Sequence, residues 1–239
     1  MPAYSFQDRR GKERCFLFIA VPKTGNTALH TAFVEDGWTA FYDRSQNALL
    51  GRLKCPAQHF HATILETLFN VETFDDIFMV VRHPVQRLMS DYLWLTRNAQ
   101  RGQRPPFDPW VHRALEQYPR TPFMYDNHLR PQSAFWLPQA RVFHYEDGLE
   151  RVIDEVYARL GVRRTRHKAL QRANTSADNT GMRTSDIDAA PETIKRIETF
   201  YAADFKNFGY ARETEIRSAS WCESDGWFPS VRESAPPVY

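Results

Sequence analysis

The chain has few cysteines, few lysines and no long apolar run, and each shortage excludes a class of protein. Its 239 residues contain three cysteines, with no CxxC pair and no Cys/His cluster at zinc spacing, which excludes a disulfide scaffold and favours a reducing compartment. The apolar run 15–21 is far shorter than the roughly 20 residues that cross a bilayer. The first residues also lack the apolar core of a signal peptide. We therefore expect a cytoplasmic protein with no membrane partner.

The charge of the chain is nearly balanced. Lys and Arg number 31 against 29 Asp and Glu, a net charge of +2, which excludes a polybasic nucleic-acid binder. Only six of the 31 basic residues are lysines. Arginine suits recognition of oxyanions, although GC-rich codon usage would produce the same excess. With 42% hydrophobic residues, the chain can bury a sizeable core, and disorder as its dominant state is excluded.

Short apolar runs alternate with amphipathic segments along the chain. Strands are predicted at 15–21, 77–81 and 141–145. Helices are predicted from Thr27 and over 62–69, 84–97, 149–160 and 191–201. Unbroken apolar strands that alternate with helices indicate an α/β fold, with a parallel sheet covered on both faces. Polar loops are expected at 98–109 and 162–190. We expect a single domain, with a core over about 15–210 and a C-terminal strap over 211–239.

The junction 18–30, FIAVPKTGNTALH, is the most informative segment. A buried strand ends there and a tight loop leads into a helix, so free N–H groups and a helix N-terminus attract a phosphate-like group. Lys23 adds charge, and Gly25 lets the backbone approach an anion. A Walker A loop would have its lysine after the last glycine, so support for an ATPase is weak. The candidate anion-binding residues are Lys23, Thr24, Gly25, Asn26, Thr27 and Ala28.

A second strand–helix junction lies at 77–95, IFMVVRHPVQRLMSDYLWL. Arg82 follows the strand and can fork onto a phosphate. Pro84 occupies the first position of the next helix. Ser90 falls off the apolar stripe of that helix, so we expect its hydroxyl to lie outside the core. Arg82 and Ser90 are therefore candidates for a second phosphate.

Both junctions resemble motifs of one enzyme family. V-P-K-T-G-N-T at 21–27 resembles the 5′-phosphosulfate loop of sulfotransferases, and R-H-P-V-x-R-L-x-S-x-Y at 82–92 resembles their 3′-phosphate motif. The likeness runs from about Phe16 to Tyr210 and is closest to the carbohydrate branch, which sulfates heparan and chondroitin sulfate. It implies a three-layer, P-loop-like fold with a central parallel sheet flanked by helices. It also implies 3′-phosphoadenosine 5′-phosphosulfate (PAPS) as donor, adenosine 3′,5′-bisphosphate as product, a glycan or other hydroxyl-bearing acceptor, and no metal.

The segment 57–68 supplies candidates for the catalytic base. His59 and His61 have period-two spacing, so in an extended segment both side chains point the same way, and imidazole suits general-base work. The pair resembles the H-x-H element of heparan sulfate 2-O-sulfotransferases, in which histidine is the base. We favour His61, which directly precedes the helix at 62–69, and keep Glu66 in reserve. A two-histidine metal site and a purely structural pair are the alternatives.

Two further segments resemble parts of the family's binding cleft. Residues 126–133, DNHLRPQS, resemble a segment that lines the acceptor site, which makes Asn127, Arg130 and Gln132 candidate substrate-binding residues; a solvated loop is the alternative. Residues 174–176 resemble a late loop that closes over the nucleotide. Two other functions remain open, namely a P-loop-like phosphotransferase that uses a nucleoside triphosphate, and a non-catalytic module that binds a nucleotide or a sulfated glycan.

Overall fold

A five-stranded mixed sheet forms the centre of the computed structural model, which describes residues 3–7, 11–41, 52–99, 103–164, 170 and 180–213. The strand order is β3-β1-β2-β4-β5. The strands are β1 (Ala3–Gln7), β2 (Glu13–Ile19), β3 (Thr39–Phe41), β4 (Asp76–Val81) and β5 (Arg141–His144).

Helices flank this sheet. They are α1 (Asn26–Glu35), α2 (Ala62–Leu68), α3 (Pro84–Leu95), α4 (Phe107–Gln117), α5 (Leu149–Leu160), α6 (Pro191–Phe200) and α7 (Ala202–Phe208). Proline at the first position starts α3 and α6, where its missing N–H costs no helical bond. Gly161 ends α5 in the left-handed conformation, a common helix stop.

The sheet is parallel only in part. β2 pairs with β4 and β4 with β5 in parallel, which confirms the α/β pattern for the three predicted strands. The expectation of a wholly parallel sheet is wrong, because β1 pairs antiparallel with both β2 and β3. Only five residues join β1 to β2, and a link that short cannot supply the crossover that parallel neighbours need.

Two apolar clusters cover the two faces of the sheet. Phe16, Phe18 and Phe78 face one cluster, which includes residues of α1 and α5. Leu17 and Ile19 face the other, which includes residues of α2 and α7. The alternation follows from the period of two along a strand.

A third apolar cluster holds α3, α4 and α6 together. The loop predicted over 98–109 is wrong at its end, because α4 begins at Phe107. Phe107, Val111 and Leu115 recur every four residues and are buried, and this pattern continues beyond the polar stretch that suggested a loop. Among the described residues, no helix is long and apolar enough to cross a membrane.

Phe78 is the central side chain of the first cluster, and we expect Phe78→Ala to destabilise the fold strongly. The ring is fully buried and stacks on Phe18, with 4.9 Å between centroids. Truncation leaves a cavity that costs about 3–5 kcal/mol in the free energy of unfolding, measured by urea denaturation. Phe41→Ala, at a ring that is 46% exposed, is the control. Equal losses in the two variants would contradict this description of the core.

Candidate active site

The loop after β2 is shaped by its own side chains. The Thr24 hydroxyl is buried and donates to the Val21 carbonyl at 2.8 Å, and the Asn26 amide donates to the same oxygen at 2.8 Å. Lys23 takes a positive φ of 68°, which is uncommon for a residue with a side chain. Thr24 and Asn26 therefore hold the loop, and its backbone N–H groups and Lys23 are left to meet an anion.

Gly25 is required where this loop enters α1. Its φ is 89°, a conformation that costs little only for glycine. A Cβ built at this position would lie 2.4 Å from Cδ1 of Leu149. The first residue of α5 is thus packed directly against the loop. Thr27 is exposed in the first turn of α1, whereas Ala28 is buried beneath it.

Arg82 reaches the same loop from the end of β4. Its guanidinium donates to the Lys23 carbonyl at 3.4 Å and lies over the Tyr145 ring, 4.7 Å from the centroid. The backbone of Arg82 is held twice by Gln132, whose Oε1 accepts from the Arg82 N–H at 2.9 Å and whose Nε2 donates to the Arg82 carbonyl at 2.8 Å. The two junctions identified in the sequence therefore meet at one edge of the sheet.

Three cations surround this meeting point. The Lys23 ammonium lies 4.7 Å from the centre of the Trp94 ring, and the Arg97 guanidinium lies 3.8 Å from that ring. Within the described ranges, none of Lys23, Arg82 and Arg97 forms an ion pair. Burial lowers the pKa of Lys23, Asp91 opposes that shift, and Arg82 and Arg97 add to it. Positive charge without an ion-pair partner favours an anionic ligand here.

Ser90 lies deeper than the sequence predicts. The expectation that it would lie outside the core is wrong, because its side chain is only 4% exposed. α3 is buried on most of its circumference, with nine buried residues among its twelve. Ser90 shares a helix face with Trp94, four residues on. Its hydroxyl makes no hydrogen bond to any described residue, so it keeps its capacity to donate.

The histidine segment is not extended throughout. Pro56 precedes a single 3₁₀ turn, Ala57–His59, so the expected common direction of the two side chains does not follow from their spacing. His59 is buried, with Nδ1 at 3.1 Å from the Ala20 carbonyl and Nε2 at 3.0 Å from the Gln58 amide nitrogen. His61 lies immediately before α2 and is partly exposed.

The surroundings of both imidazoles favour the neutral form. Burial is the main cause that lowers the pKa of His59, and the nearby His128 and Lys23 lower it further. Burial and then Arg130 lower the pKa of His61 to about 4. Because imidazole is neutral above its pKa, each ring keeps one nitrogen lone pair over the whole neutral range.

The segment 126–133 lies against the histidines in a strained conformation. Tyr125, Asp126 and Asn127 have consecutive positive φ values of 51°, 56° and 72°, and each costs about 1–2 kcal/mol in a residue with a Cβ. Asn127 is fully buried; its amide nitrogen donates to the His59 carbonyl at 2.8 Å, and its oxygen accepts from Arg130 Nε at 2.6 Å. Strain of this kind persists where the surroundings fix it, often beside a functional site.

The three candidate acceptor residues thus have different surroundings. Asn127 and Gln132 are fully buried, so the solvated-loop alternative is wrong for them. Asn127 is bonded to the histidine segment and Gln132 to Arg82. Arg130 is partly exposed and lies over the Phe123 ring, 5.3 Å from its centroid. Of the three, Arg130 is the side chain that a ligand can reach.

Three further residues of the site, Trp94, Asp91 and His128, were not predicted from the sequence. Trp94 could have been found from its helical spacing to Ser90. The Asp91 carboxylate accepts from His128 Nδ1 at 2.6 Å; these two residues are 37 positions apart, and no local spacing indicates their contact.

The remaining candidates contribute little to this site. Glu66 is exposed on α2. Residues 174–176, proposed as a late loop, and the strap from 214 onward lie outside the described residues. Across the ranges that are described, no three His, Cys, Asp or Glu side chains gather in a way that could hold a metal ion.

Gly25→Ala tests the packing of the loop after β2. We expect a loss of about 2–3 kcal/mol in the free energy of unfolding, because alanine is strained at this φ and its Cβ displaces Leu149. Gly161→Ala is the matched control, since it has positive φ but no neighbour within 4 Å, and should cost about 1 kcal/mol. If urea denaturation gave the same loss for both variants, the Leu149 contact would contribute nothing.

Comparison with known proteins identifies the family of the chain. A model of the sulfotransferase family matches residues 11–211, which include both strand–helix junctions, the histidine segment and the segment 126–133. No curated protein and no solved structure matches closely enough to identify a nearer relative. The family match covers well over half of the chain, and the chain therefore belongs to the sulfotransferase family.

Proposed function

We propose that this protein transfers a sulfuryl group from PAPS to a hydroxyl group of a saccharide acceptor. The observation that carries the proposal is the contact between Arg82 and the Lys23 carbonyl. This contact brings two cation-bearing strand ends within reach of one small ligand. A donor with phosphate at both ends of an adenosine matches that arrangement.

In this proposal, the two strand–helix junctions bind different parts of the donor. Residues 23–28 offer backbone N–H groups, the N-terminus of α1 and the Lys23 ammonium, which suit the 5′-phosphosulfate. Arg82 and Ser90 suit the 3′-phosphate, because a guanidinium can bind phosphate through two N–H groups and the Ser90 hydroxyl is not bonded to any described residue. Trp94 contacts Lys23 and stands one helical turn beyond Ser90, which connects the two ends.

Sulfuryl transfer makes a bond between the acceptor oxygen and sulfur and breaks the bond between sulfur and the 5′-phosphate oxygen. The leaving phosphate takes that electron pair, and Lys23 and the helix N-terminus stabilise its growing charge. The acceptor hydroxyl releases its proton to a base. His61 is the first candidate for this base and His59 the second, since the surroundings of both favour the neutral form. No residue in this scheme needs a metal ion.

The acceptor side combines charge with an aromatic face. Arg130 and Lys54 both lie over the Phe123 ring, with 5.3 Å and 5.9 Å to its centroid, and the His61 ring lies 5.9 Å from the same ring. An arginine in this setting suits a carboxylate or sulfate of an acidic glycan. Asn127 and Gln132 support this surface from inside the protein. The resemblance to the carbohydrate branch points to the same class of acceptor.

A phosphotransferase is less compatible with the structure. Such an enzyme would carry a metal-binding aspartate at the carboxyl end of a strand. Asp75 and Asp76 lie instead at the start of β4, where Asp76 accepts from Arg141 at 2.6 Å and Asp75 from Arg14 at 3.1 Å. A non-catalytic module would retain Lys23 and Arg82 but has no use for the histidine cluster.

Arg82→Ala tests the donor site. Adenosine 3′,5′-bisphosphate should raise the Tm of the wild type, since a ligand of the folded state stabilises it. The variant should bind about 10–100-fold more weakly, because a charge-assisted hydrogen bond contributes about 1.5–3 kcal/mol. Arg113→Ala, at an exposed position of α4, should leave binding unchanged. If ATP with magnesium stabilised the wild type as much as the bisphosphate does, the donor assignment would be wrong.

His61→Ala tests the acceptor side. We expect the transfer rate to fall by about 10²–10⁴-fold, the range of a positioned proton-transfer group, while the Tm shift caused by bisphosphate is retained. A rate limb governed by His61 would lie near its pKa of about 4, with activity lost as the pH falls through that value, because a protonated imidazole cannot accept. His112→Ala on α4 is the control. Wild-type turnover in His61→Ala would remove this residue from the mechanism.

A further inference from the structure

A buried carboxylate–imidazole pair lies between the donor and acceptor sides. Asp91 on α3 is fully buried and His128 is 8% exposed. The Asp91 carboxylate and His128 Nδ1 are 2.6 Å apart, which is the length of a strong, charge-assisted hydrogen bond. Asp91 has no other hydrogen bond to the described residues, because its second oxygen is buried without a partner. His128 is therefore the one hydrogen-bond partner of this carboxylate among those residues.

This contact fixes the tautomer of His128. A carboxylate accepts hydrogen bonds and cannot donate them, so Nδ1 carries the proton and Nε2 keeps its lone pair. Nε2 has no hydrogen-bond partner among the described residues, and it is not one of the buried unpaired atoms. A base that is oriented by a third group through its other nitrogen is the arrangement found in catalytic triads.

The other two imidazoles lack this arrangement. His59 has both nitrogens engaged, one at the Ala20 carbonyl and one at the Gln58 amide. Nδ1 of His61 lies 3.5 Å from the Asn127 side-chain nitrogen. The orientation of that amide is fixed, because the same nitrogen donates to the His59 carbonyl and the amide oxygen accepts from Arg130. Nδ1 of His61 therefore faces a donor, which places its proton on Nε2 and makes Nε2 a donor toward a ligand.

The position of the pair connects the two sides of the site. Asp91 directly follows Ser90 on α3, and its charge raises the pKa of Lys23. The His128 ring packs edge-on against the His59 ring, with 4.9 Å between centroids. His128 also directly follows Asn127, the last residue of the strained turn. The strained turn thus leads directly into the residue that contacts Asp91.

We propose that His128, oriented by Asp91, is the base that takes the proton of the acceptor hydroxyl. The inference rests on the proposed function and changes only which imidazole accepts the proton. The acceptor oxygen bonds to sulfur while the bond between sulfur and the 5′-phosphate oxygen breaks, and the phosphate keeps that electron pair. The acceptor proton moves to His128 Nε2, and the carboxylate of Asp91 balances the charge of the resulting imidazolium. His61 then donates from Nε2 to an oxygen of the reacting groups. Loss of the His61 side chain also lowers the rate in this scheme, because a hydrogen-bond donor is lost rather than a base.

The first test is the rate of transfer. Asp91 and Arg87 from α3 lie beside His128, where Arg87 donates to the His128 carbonyl at 2.8 Å. We expect His128→Gln to lower the transfer rate by about 10²–10⁴-fold. Asp91→Asn should have a similar effect, because an amide that donates to Nδ1 reverses the tautomer. His112→Gln, at a histidine bonded to Thr193 on α6, is the control.

Donor binding distinguishes failure of the proposed function from failure of the His128 assignment. Both variants should keep the Tm shift caused by adenosine 3′,5′-bisphosphate. If the wild type neither binds bisphosphate nor transfers sulfate, the proposed function is overturned, and the assignment of His128 with it. If the wild type does both and His128→Gln keeps the wild-type rate, only the assignment is overturned.

A second measurement does not depend on transfer or on the folding of a variant. In wild-type protein labelled with ¹⁵N-histidine, long-range proton–nitrogen spectra distinguish the two neutral tautomers. In the neutral form of each ring, we expect the proton of His128 on Nδ1 and that of His61 on Nε2. A proton on Nε2 of His128 would overturn the assignment whatever the variants show.

Discussion

The contact between the Arg82 guanidinium and the Lys23 carbonyl holds the candidate site together. It depends on the parallel pairing of β2 with β4, in which Ile19 is level with Met79, so the two strands end at the same edge. Gln132 then fixes the backbone of Arg82 on both sides. Asp204 on α7 accepts from the backbone N–H groups of Gln132 and Ser133 at 2.8 Å each. One carboxylate near the end of the described chain thus stabilises an arginine that follows β4.

The cost of this arrangement supports the proposal that it is a site. Burial lowers the pKa of Lys23 and of Arg82, and neither cation has an ion-pair partner among the described residues. Burying a charge is unfavourable unless it is paired. The left-handed turn that ends at Asn127 adds backbone strain. Costs of both kinds are expected where binding and catalysis need groups that the fold alone would not place there.

Local sequence patterns predicted the centre of the fold well. Apolar runs indicated β2, β4 and β5, Pro84 marked the start of α3, and the structure has α5 at the predicted bounds 149–160. β1 and β3 escaped prediction because neither has an apolar run of its own; β1 is held between β2 and β3, and β3, at the edge of the sheet, pairs with β1. α4 was not predicted because the Pro-rich segment before it obscures the helical spacing of its apolar residues. Ser90 was misjudged because α3 packs on several sides, which a single apolar stripe cannot reveal.

The candidate site was predictable only as far as its parts are local. Loop 23–28 and Arg82 follow strands directly, so their meeting follows from the order of strands in a parallel sheet. The pairing of Asp91 with His128 depends on how a helix packs against a distant turn. The residue type of a histidine also says nothing about its tautomer, which the neighbour of each nitrogen decides.

The donor loop and the histidine cluster are mechanically connected through the end of β2. The Ala20 carbonyl that accepts from His59 lies three residues before Lys23, and the Val21 carbonyl next to it holds both Thr24 and Asn26. A ligand that reshapes the loop at Lys23 must therefore act on the same stretch of backbone that orients His59. Because the His59 ring packs on His128, direct contacts link the loop at Lys23 to the proposed base. In the proposed mechanism, this linkage gives a physical reason for a fixed order, in which the donor binds before the acceptor is deprotonated.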